Sequence, residues 1–319
     1  KVSLKAFWID QEEVTVERLQ LGAQAVAEHV VTTGQGRRPL RVVVGHDTRF
    51  LSDYFARAVS EVLVGNGLRV VLSDRAVPTC AVSRAVVARR LPAGLMITAS
   101  HNPAIYNGIK VKEAYGGSAT AEPVASIERR FGRSRIKRLS FDHAVQEGAV
   151  VRENLMPAFL DGIRAAVDLA AIRRSAFRVI VDPMHGTAGR TIERLLSGGR
   201  CRVETIRAWA DPLFGGQPPE PIAIHLGELR RVVRATGADL GIATDGDADR
   251  VGVVGAGGTW VNPGQVMCIL LEHLVETRRL HGAVVKTISN TMMINRMTAA
   301  LGLRLVEVPV GFKHVAKRL

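Results

Sequence analysis

The sequence predicts an α/β protein of consecutive layered units. Short apolar runs at residues 40–44, 68–72 and 94–97 alternate with segments of helical periodicity. The same alternation resumes after residues 132–151, a polar stretch of charge clusters that suits a domain junction. At 319 residues, 47% hydrophobic and 23% charged, the chain has room for two or three domains with buried cores.

In order, residues 12–31 carry apolar side chains at near-helical spacing and end at Gly34-Gln35-Gly36. A strand at 40–44 runs into Gly45-His46-Asp47-Thr48-Arg49, and a helix follows from Ser52, its expected N-cap, to Val64. Gly65-Asn66-Gly67 stops that helix, 68–72 is the next strand, and Pro78 opens a helix through Ala88. Residues 94–97 form a strand that leads into Thr98-Ala99-Ser100-His101-Asn102-Pro103. The second unit reads as helix 154–169, strand 177–181, helix 187–196, strand 202–206, a Gly/Pro loop, helix 226–236 and strand 240–243. Strand 251–254, helix 265–277, strand 283–286, helix 291–301 and strand 303–308 complete the reading.

Two loops carry the chemistry. Asn102-Pro103 forces a turn directly after a buried strand, so Ser100 is expected on a tight loop at a strand's carboxyl end, where open α/β sheets place ligands. In Asp245-Gly246-Asp247-Ala248-Asp249-Arg250 three carboxylates alternate with small residues between apolar segments. Such a loop converges its oxygens; like charges that close repel unless a cation lies among them, and all-oxygen ligation favours Mg²⁺ over zinc or copper. A solvated acidic turn is the plain alternative.

These two loops resemble the serine loop and metal loop of the α-D-phosphohexomutase family, which includes phosphoglucomutase, phosphomannomutase and phosphoglucosamine mutase. Gly45 to Arg49, Asn107-Gly108-Ile109-Lys110, Asp182-Pro183-Met184-His185-Gly186, Asp211-Pro212-Leu213-Phe214-Gly215-Gly216 and Pro309-Val310-Gly311-Phe312-Lys313 agree with it, in family order. The resemblance implies layered α/β/α domains with mixed sheets: domain I at 1–150 with the serine loop, domain II at 151–256 with the metal loop, and a partial sugar-binding domain III at 257–319. The family's opening Gly-Thr-x-Gly-x-Arg segment, its acidic sugar-gripping loop and its fourth domain have no counterpart between Lys1 and Leu319. The third domain is therefore expected to be incomplete.

The activity implied is a phosphosugar mutase, an intramolecular phosphotransferase that moves a phosphoryl group between the 1- and 6-positions of a hexose phosphate. Ser100 would carry the phosphoryl group, and Asp245, Asp247 and Asp249, with a phosphoryl oxygen on Ser100, would hold Mg²⁺. A hexose 1,6-bisphosphate would be intermediate and activator. His101 and Lys110 are candidates for proton transfer and charge neutralisation, Arg250 for positioning the phosphoserine, and Asn102, Lys286 and Lys313 for substrate contacts. Ala248, where phosphoglucosamine mutases commonly have Gly, favours glucose or mannose phosphate. Alternatives are a phosphoglucosamine mutase, a silent fragment binding Mg²⁺ and phosphosugar, and a metal-dependent phosphatase. The phosphatase reading leaves the serine loop unexplained. Asp47 and Arg49 are expected to brace the serine loop as a buried pair, and His185 to be structural.

Charge and cysteines narrow the setting. The 43 Lys+Arg against 30 Asp+Glu give +13, but the basic residues are scattered and not interleaved with aromatics, which argues against nucleic acid. Cys80, Cys201 and Cys268 have no paired spacing and are expected as small buried hydrophobes in a reducing compartment. No run approaches the ~20 apolar residues that span a bilayer, so a cytoplasmic protein without membrane contact is expected. The oligomeric state is open.

Overall fold

A computed structural model describes residues 7–8, 15–35, 39–316 and 318. Its first sheet is built on valine. Val42, Val43 and Val44 are all fully buried, and period-two alternation sends Val42 and Val44 to one face and Val43 to the other. A strand apolar on both faces needs a helical layer on each, and both layers form.

The strands of this sheet are β1 (Phe7–Trp8), β2 (Arg41–His46), β3 (Arg69–Ser73), β4 (Ala93–Ile97), β5 (Gly108–Glu113) and β6 (Val150–Glu153), in spatial order β1-β5-β4-β2-β3-β6. β2, β3, β4 and β6 are mutually parallel, whereas β5 is antiparallel to both β4 and β1, so the sheet is mixed. Helices α1 (Val16–Thr33), α2 (Ser52–Gly65), α4 (Ala121–Arg130) and α5 (Phe141–Gln146) cover the Val42 face. Helix α3 (Thr79–Ala88) covers the Val43 face with Met156 and Phe159 of α6 (Met156–Ala166).

The second sheet has the order β11-β10-β9-β7-β8, from β7 (Arg178–Asp182), β8 (Arg202–Thr205), β9 (Leu240–Thr244), β10 (Val251–Gly255) and β11 (Thr259–Val261). β7, β8 and β9 are parallel, and β10 returns antiparallel beside β9. That return puts residues 245–250 in the connection at the carboxyl end of β9. Leu229 and Val233 of α9 (Gly227–Thr236) pack on one face with Ile180 and Ala243; α7 (Leu169–Arg174) and α8 (Thr191–Leu196) lie in the same domain, with Ile192 of α8 packed beside Val179 and Val181. The last segment pairs β12 (Ala283–Thr287) in parallel with β13 (Arg304–Val308), beside α10 (Pro263–Glu272), α11 (Met292–Ala300) and α12 (Phe312–Ala316). No helix among the described residues is long and apolar enough to cross a membrane.

Several sequence expectations shift. Residues 132–151 are not a bare junction: α5 lies within them, and β6 extends the first sheet to Glu153, past the expected boundary at 150. Val150 is buried while Val151 is exposed, because β6 is an edge strand with one covered face. Likewise β11 carries the second sheet to Val261, past 256. Ser52 is the first residue of α2 and not its cap; Leu51 takes that place at φ 59°, and the Ser52 hydroxyl is used elsewhere. The helix expected over 265–277 is α10 followed by a π-helical turn, His273–Thr277. Cys201 and Cys268 are buried, but Cys80 is exposed, because the second residue of α3 faces away from the Val82 and Val86 stripe.

Candidate active site

The serine loop is held from beneath by a strand-end ion pair. Asp47 and Arg49 follow β2 and have fully buried side chains, with Arg49 Nε 3.1 Å from Asp47 Oδ2. The guanidinium also donates to the carbonyls of Ser100, Asn102 and Pro103, each at 2.7 Å, and of Tyr106 at 3.1 Å. Asp47 accepts from Thr98 Oγ1 and Ser52 Oγ, both at 2.7 Å, and Thr98 Oγ1 accepts the Ser100 amide at 2.8 Å. Asn107 Nδ2 donates to Ser52 Oγ at 2.9 Å. Burial drives the Asp47 carboxyl above its ordinary value, with Arg49 opposing. This bracing is the role the sequence assigned to the pair. It holds Ser100 at φ 55°, a left-handed conformation that costs a residue with a Cβ about 1 kcal/mol or more.

The second domain supplies the carboxylates. Oxygens of Asp245, Asp247 and Asp249 converge within 4.8 Å of one another; the first two side chains are fully buried and the third is exposed. Asp245 Oδ1 accepts the amides of Asp249 and Arg250, at 2.9 and 3.0 Å, which curls the loop around it. Asp245 Oδ2 accepts from Ser100 Oγ at 2.9 Å, across 145 residues of sequence. The loop fits tightly: a Cβ on Gly246 would lie 2.7 Å from the Ser100 carbonyl oxygen, and one on Gly186 would lie 2.6 Å from the Gly246 carbonyl oxygen. Ala248 sits at φ 54°.

Lys110 leans into the cluster from β5, with Nζ 2.7 Å from Asp247 Oδ2 and 2.8 Å from Asp249 Oδ2. Burial works against its charge, but the two carboxylates more than offset it and hold the ammonium protonated well above the usual lysine range. Lys112, on the same face of β5, is nearly buried; burial first and Lys110 second depress it. Burial raises Asp245, and the Asp247 and Asp249 charges raise it further. Burial acts the same way on Asp247, but the Lys110 ammonium outweighs it and keeps that carboxyl ionised.

The donor set suits a hard divalent cation. It consists of oxygens alone, and Asp247 Oδ1 is buried without a hydrogen-bond partner, as an oxygen aimed at a metal would be. His101 Nδ1 is likewise buried and unpartnered, while Nε2 lies 3.8 Å from Glu220 Oε1. Burial, then Arg250, keeps the His101 imidazole below its ordinary value, hence neutral and able to accept a proton at pH 7. Arg250 is half exposed, 3.9 Å from Glu220 and 4.0 Å from Asp245.

Ser100, His101, Lys110, Arg250 and the three aspartates thus share one site. Asn102 contributes its backbone carbonyl to Arg49. Lys286 is not brought there: its Nζ is fully buried, 3.0 Å from Glu307 Oε1 and near the carbonyls of Asn290 and Thr291, where it ties β12 to β13. The Lys313 side chain lies outside the described residues. His185 is structural as expected, its carbonyl accepting from Thr48 and its ring set edge-on against Trp209.

Three participants escaped sequence reasoning. Thr79 donates its hydroxyl to Asp247 Oδ2 and its amide to the Asp247 carbonyl at 2.9 Å; the only local hint was its place beside the helix-opening Pro78. Glu220 faces both His101 and Arg250, from a Pro-rich loop that read as a rigid connector. Phe214, 1% exposed, lies 4.9 Å beneath the Arg49 guanidinium, within the Asp211 to Gly216 segment whose role the sequence left open.

Comparison with known proteins agrees with this arrangement. The models of phosphoglucomutase/phosphomannomutase alpha/beta/alpha domains I, II and III match residues 8–137, 157–258 and 262–319. The chain is 30% identical over 312 residues to a phosphoglucomutase/phosphomannomutase of Thermococcus kodakarensis, covering 98% of this chain and 67% of that one. It is 31% identical over 308 residues to a probable phosphoglucosamine mutase of Methanothermobacter thermautotrophicus, covering 97% and 64%. A crystal structure from Thermus thermophilus, assigned as a phosphomannomutase, superposes with TM-score 0.87 at 37% identity, covering 96% of this chain and 68% of that one. The chain spans about two thirds of the length of these curated relatives. With three domain models matched in order, and a serine loop meeting a carboxylate loop between the first two, the chain belongs to the phosphoglucomutase/phosphomannomutase family.

Proposed function

We propose that the chain forms the phosphoryl-transfer centre of a phosphosugar mutase acting on a hexose phosphate. The observation that carries this reading is the 2.9 Å approach of Ser100 Oγ to Asp245 in a buried three-carboxylate cluster. A free serine hydroxyl is a weak nucleophile, but a phosphoserine is a stored phosphoryl donor. Ser100 holds the phosphoryl group in the resting enzyme. Its P–O bond breaks as a bond forms to a hydroxyl oxygen of the sugar monophosphate, whose proton is taken by the neutral His101 imidazole and given on to the departing Ser100 oxygen, which leaves as a hydroxyl. The resulting hexose 1,6-bisphosphate turns over in the cleft and returns its other phosphate to Ser100, with the proton going back to the departing sugar oxygen.

Asp245, Asp247 and Asp249 would hold Mg²⁺, which when bound supplies positive charge against the charge of the transferring group. Lys110 adds a permanent cation beside the same oxygens, and Arg250 orients the phosphoserine. The buried Arg49 fork fixes the loop's direction. Ala248 favours glucose or mannose phosphate; relatives named as phosphoglucosamine mutases support an amino sugar as the second reading. The test is ³¹P NMR of glucose, mannose and glucosamine 1-phosphates incubated with protein, Mg²⁺ and the matching 1,6-bisphosphate. Conversion to the 6-phosphate that disappears in Ser100→Ala is expected. Equal conversion by Ser100→Ala, or release of inorganic phosphate alone, would refute the mutase reading.

A further inference from the structure

A cavity of about 650 Å³ opens between the two α/β domains, with Thr187 of its lining donating its amide to the Gly246 carbonyl of the carboxylate loop at 3.0 Å. Neither Ser100 nor Asp245, Asp247 or Asp249 lines it. Arg75, Arg164, Arg190 and Arg194 line it, contributed by both domains and by α6 between them, and no Asp or Glu does. Among the described residues, three of these arginines pair only with near neighbours in sequence, Asp74, Asp161 and Glu193, in pairs whose arginine side chains are 51–60% exposed. Exposed pairs of that kind are weak and readily exchanged for a stronger anion. Arg194 forms no ion pair among the described residues. Guanidinium groups converging on one cleft are the usual recognition chemistry for phosphate.

The rest of the lining selects the remainder of the ligand. Trp209 is 64% exposed, yet its ring is anchored edge-on to His185 at 4.9 Å. An anchored, exposed indole offers a flat stacking surface at little entropic cost. Met156, Leu160 and Leu195 give part of the lining an apolar character. The carboxylates that a sugar ring would need for its hydroxyls are missing, whereas an aromatic base needs few polar partners. The volume falls within the range of small-molecule sites.

We infer that this interdomain cavity is a nucleotide site, with Arg164 and Arg194 taking the phosphates and Trp209 the base. It is separate from the phosphoryl-transfer centre and does not depend on the mutase reading. The test is isothermal titration calorimetry of the full chain in EDTA with AMP, ATP, ribose 5-phosphate and inorganic phosphate. Saturable binding of AMP and ATP is expected. Ribose 5-phosphate should bind at least ~10-fold more weakly than AMP, and Arg164→Glu with Arg194→Glu should weaken ATP at least ~10-fold. Arg194→Gln, a milder change at an exposed site, should weaken ATP measurably with an unaltered melting curve. Ser100→Ala should bind nucleotide as the unaltered chain does. No saturable nucleotide binding, equal binding of ribose 5-phosphate and AMP, or affinity unaffected by the arginine changes would each overturn the inference.

Discussion

Replacing Arg49 by Met tests the bracing of the serine loop. The substitution keeps much of the side chain's volume and removes a buried cation that donates to four loop carbonyls and pairs with Asp47. Breaking a buried pair from one side costs about 3–5 kcal/mol, because the partner charge is left uncompensated. The four carbonyls lose charge-assisted bonds as well, but these losses share one group and do not add. With about 4 kcal/mol for the first domain, and 2–4 °C per kcal/mol at that size, its melting point should fall by about 8–16 °C.

The pH dependence follows from Asp47. Its folded pKa already lies above the ordinary 3.8, and loss of Arg49 raises it further. A carboxyl raised in the folded state favours folding fully below its unfolded pKa and loses that contribution as pH rises through the folded pKa. The deficit of Arg49→Met should therefore be smaller at pH 5 than at pH 8. Differential scanning calorimetry at both values reads it. A melting point within about 2 °C of the parent at pH 8, or a deficit independent of pH, would refute the reasoning.

Other expectations follow from the same geometry. Asp245 is raised by burial and by Asp247 and Asp249, so a metal-free site carries a proton that a divalent cation must displace. Calorimetry at pH 7 in buffers of different ionisation enthalpy should show proton release on Mg²⁺ binding and tighter binding as pH rises, and no release would count against the cluster as the metal site. By the same sign rule, stability in EDTA should decline as pH rises above 3.8. Lys110→Met removes the ammonium from Asp247 and Asp249, so Mg²⁺ should bind more tightly while phosphoryl transfer falls about 10²-fold or more. Gly186→Ala drives a methyl group into the Gly246 carbonyl and should cost about 1–3 kcal/mol, visible as a lower melting point and weaker Mg²⁺ binding.

The sequence disclosed the parts whose cause is local. Valine runs with helical segments between them gave the layers, Asn102-Pro103 gave the turn after β4, and alternating aspartates gave the carboxylate loop. Contacts between distant segments carry no local signature: Thr79 meets Asp247 across 168 residues, and Phe214 meets Arg49 only once both domains are folded. Lys286 misled for a related reason. A lysine that ends an apolar strand reads as a substrate contact, but its burial against Glu307 is decided by the pairing of β12 with β13. The edge strand β6 was hidden because one covered face leaves too short an apolar pattern to read.

The central claim is that Ser100 carries the transferable phosphoryl group. Intact-mass and phosphopeptide analysis of the full chain, incubated with Mg²⁺ with and without glucose 1,6-bisphosphate, tests it most directly. One added phosphoryl group that maps to Ser100 and is lost in Ser100→Ala is the expected result. A folded, Mg²⁺-loaded chain that takes up no phosphoryl group, or takes it up at another residue, would contradict the claim.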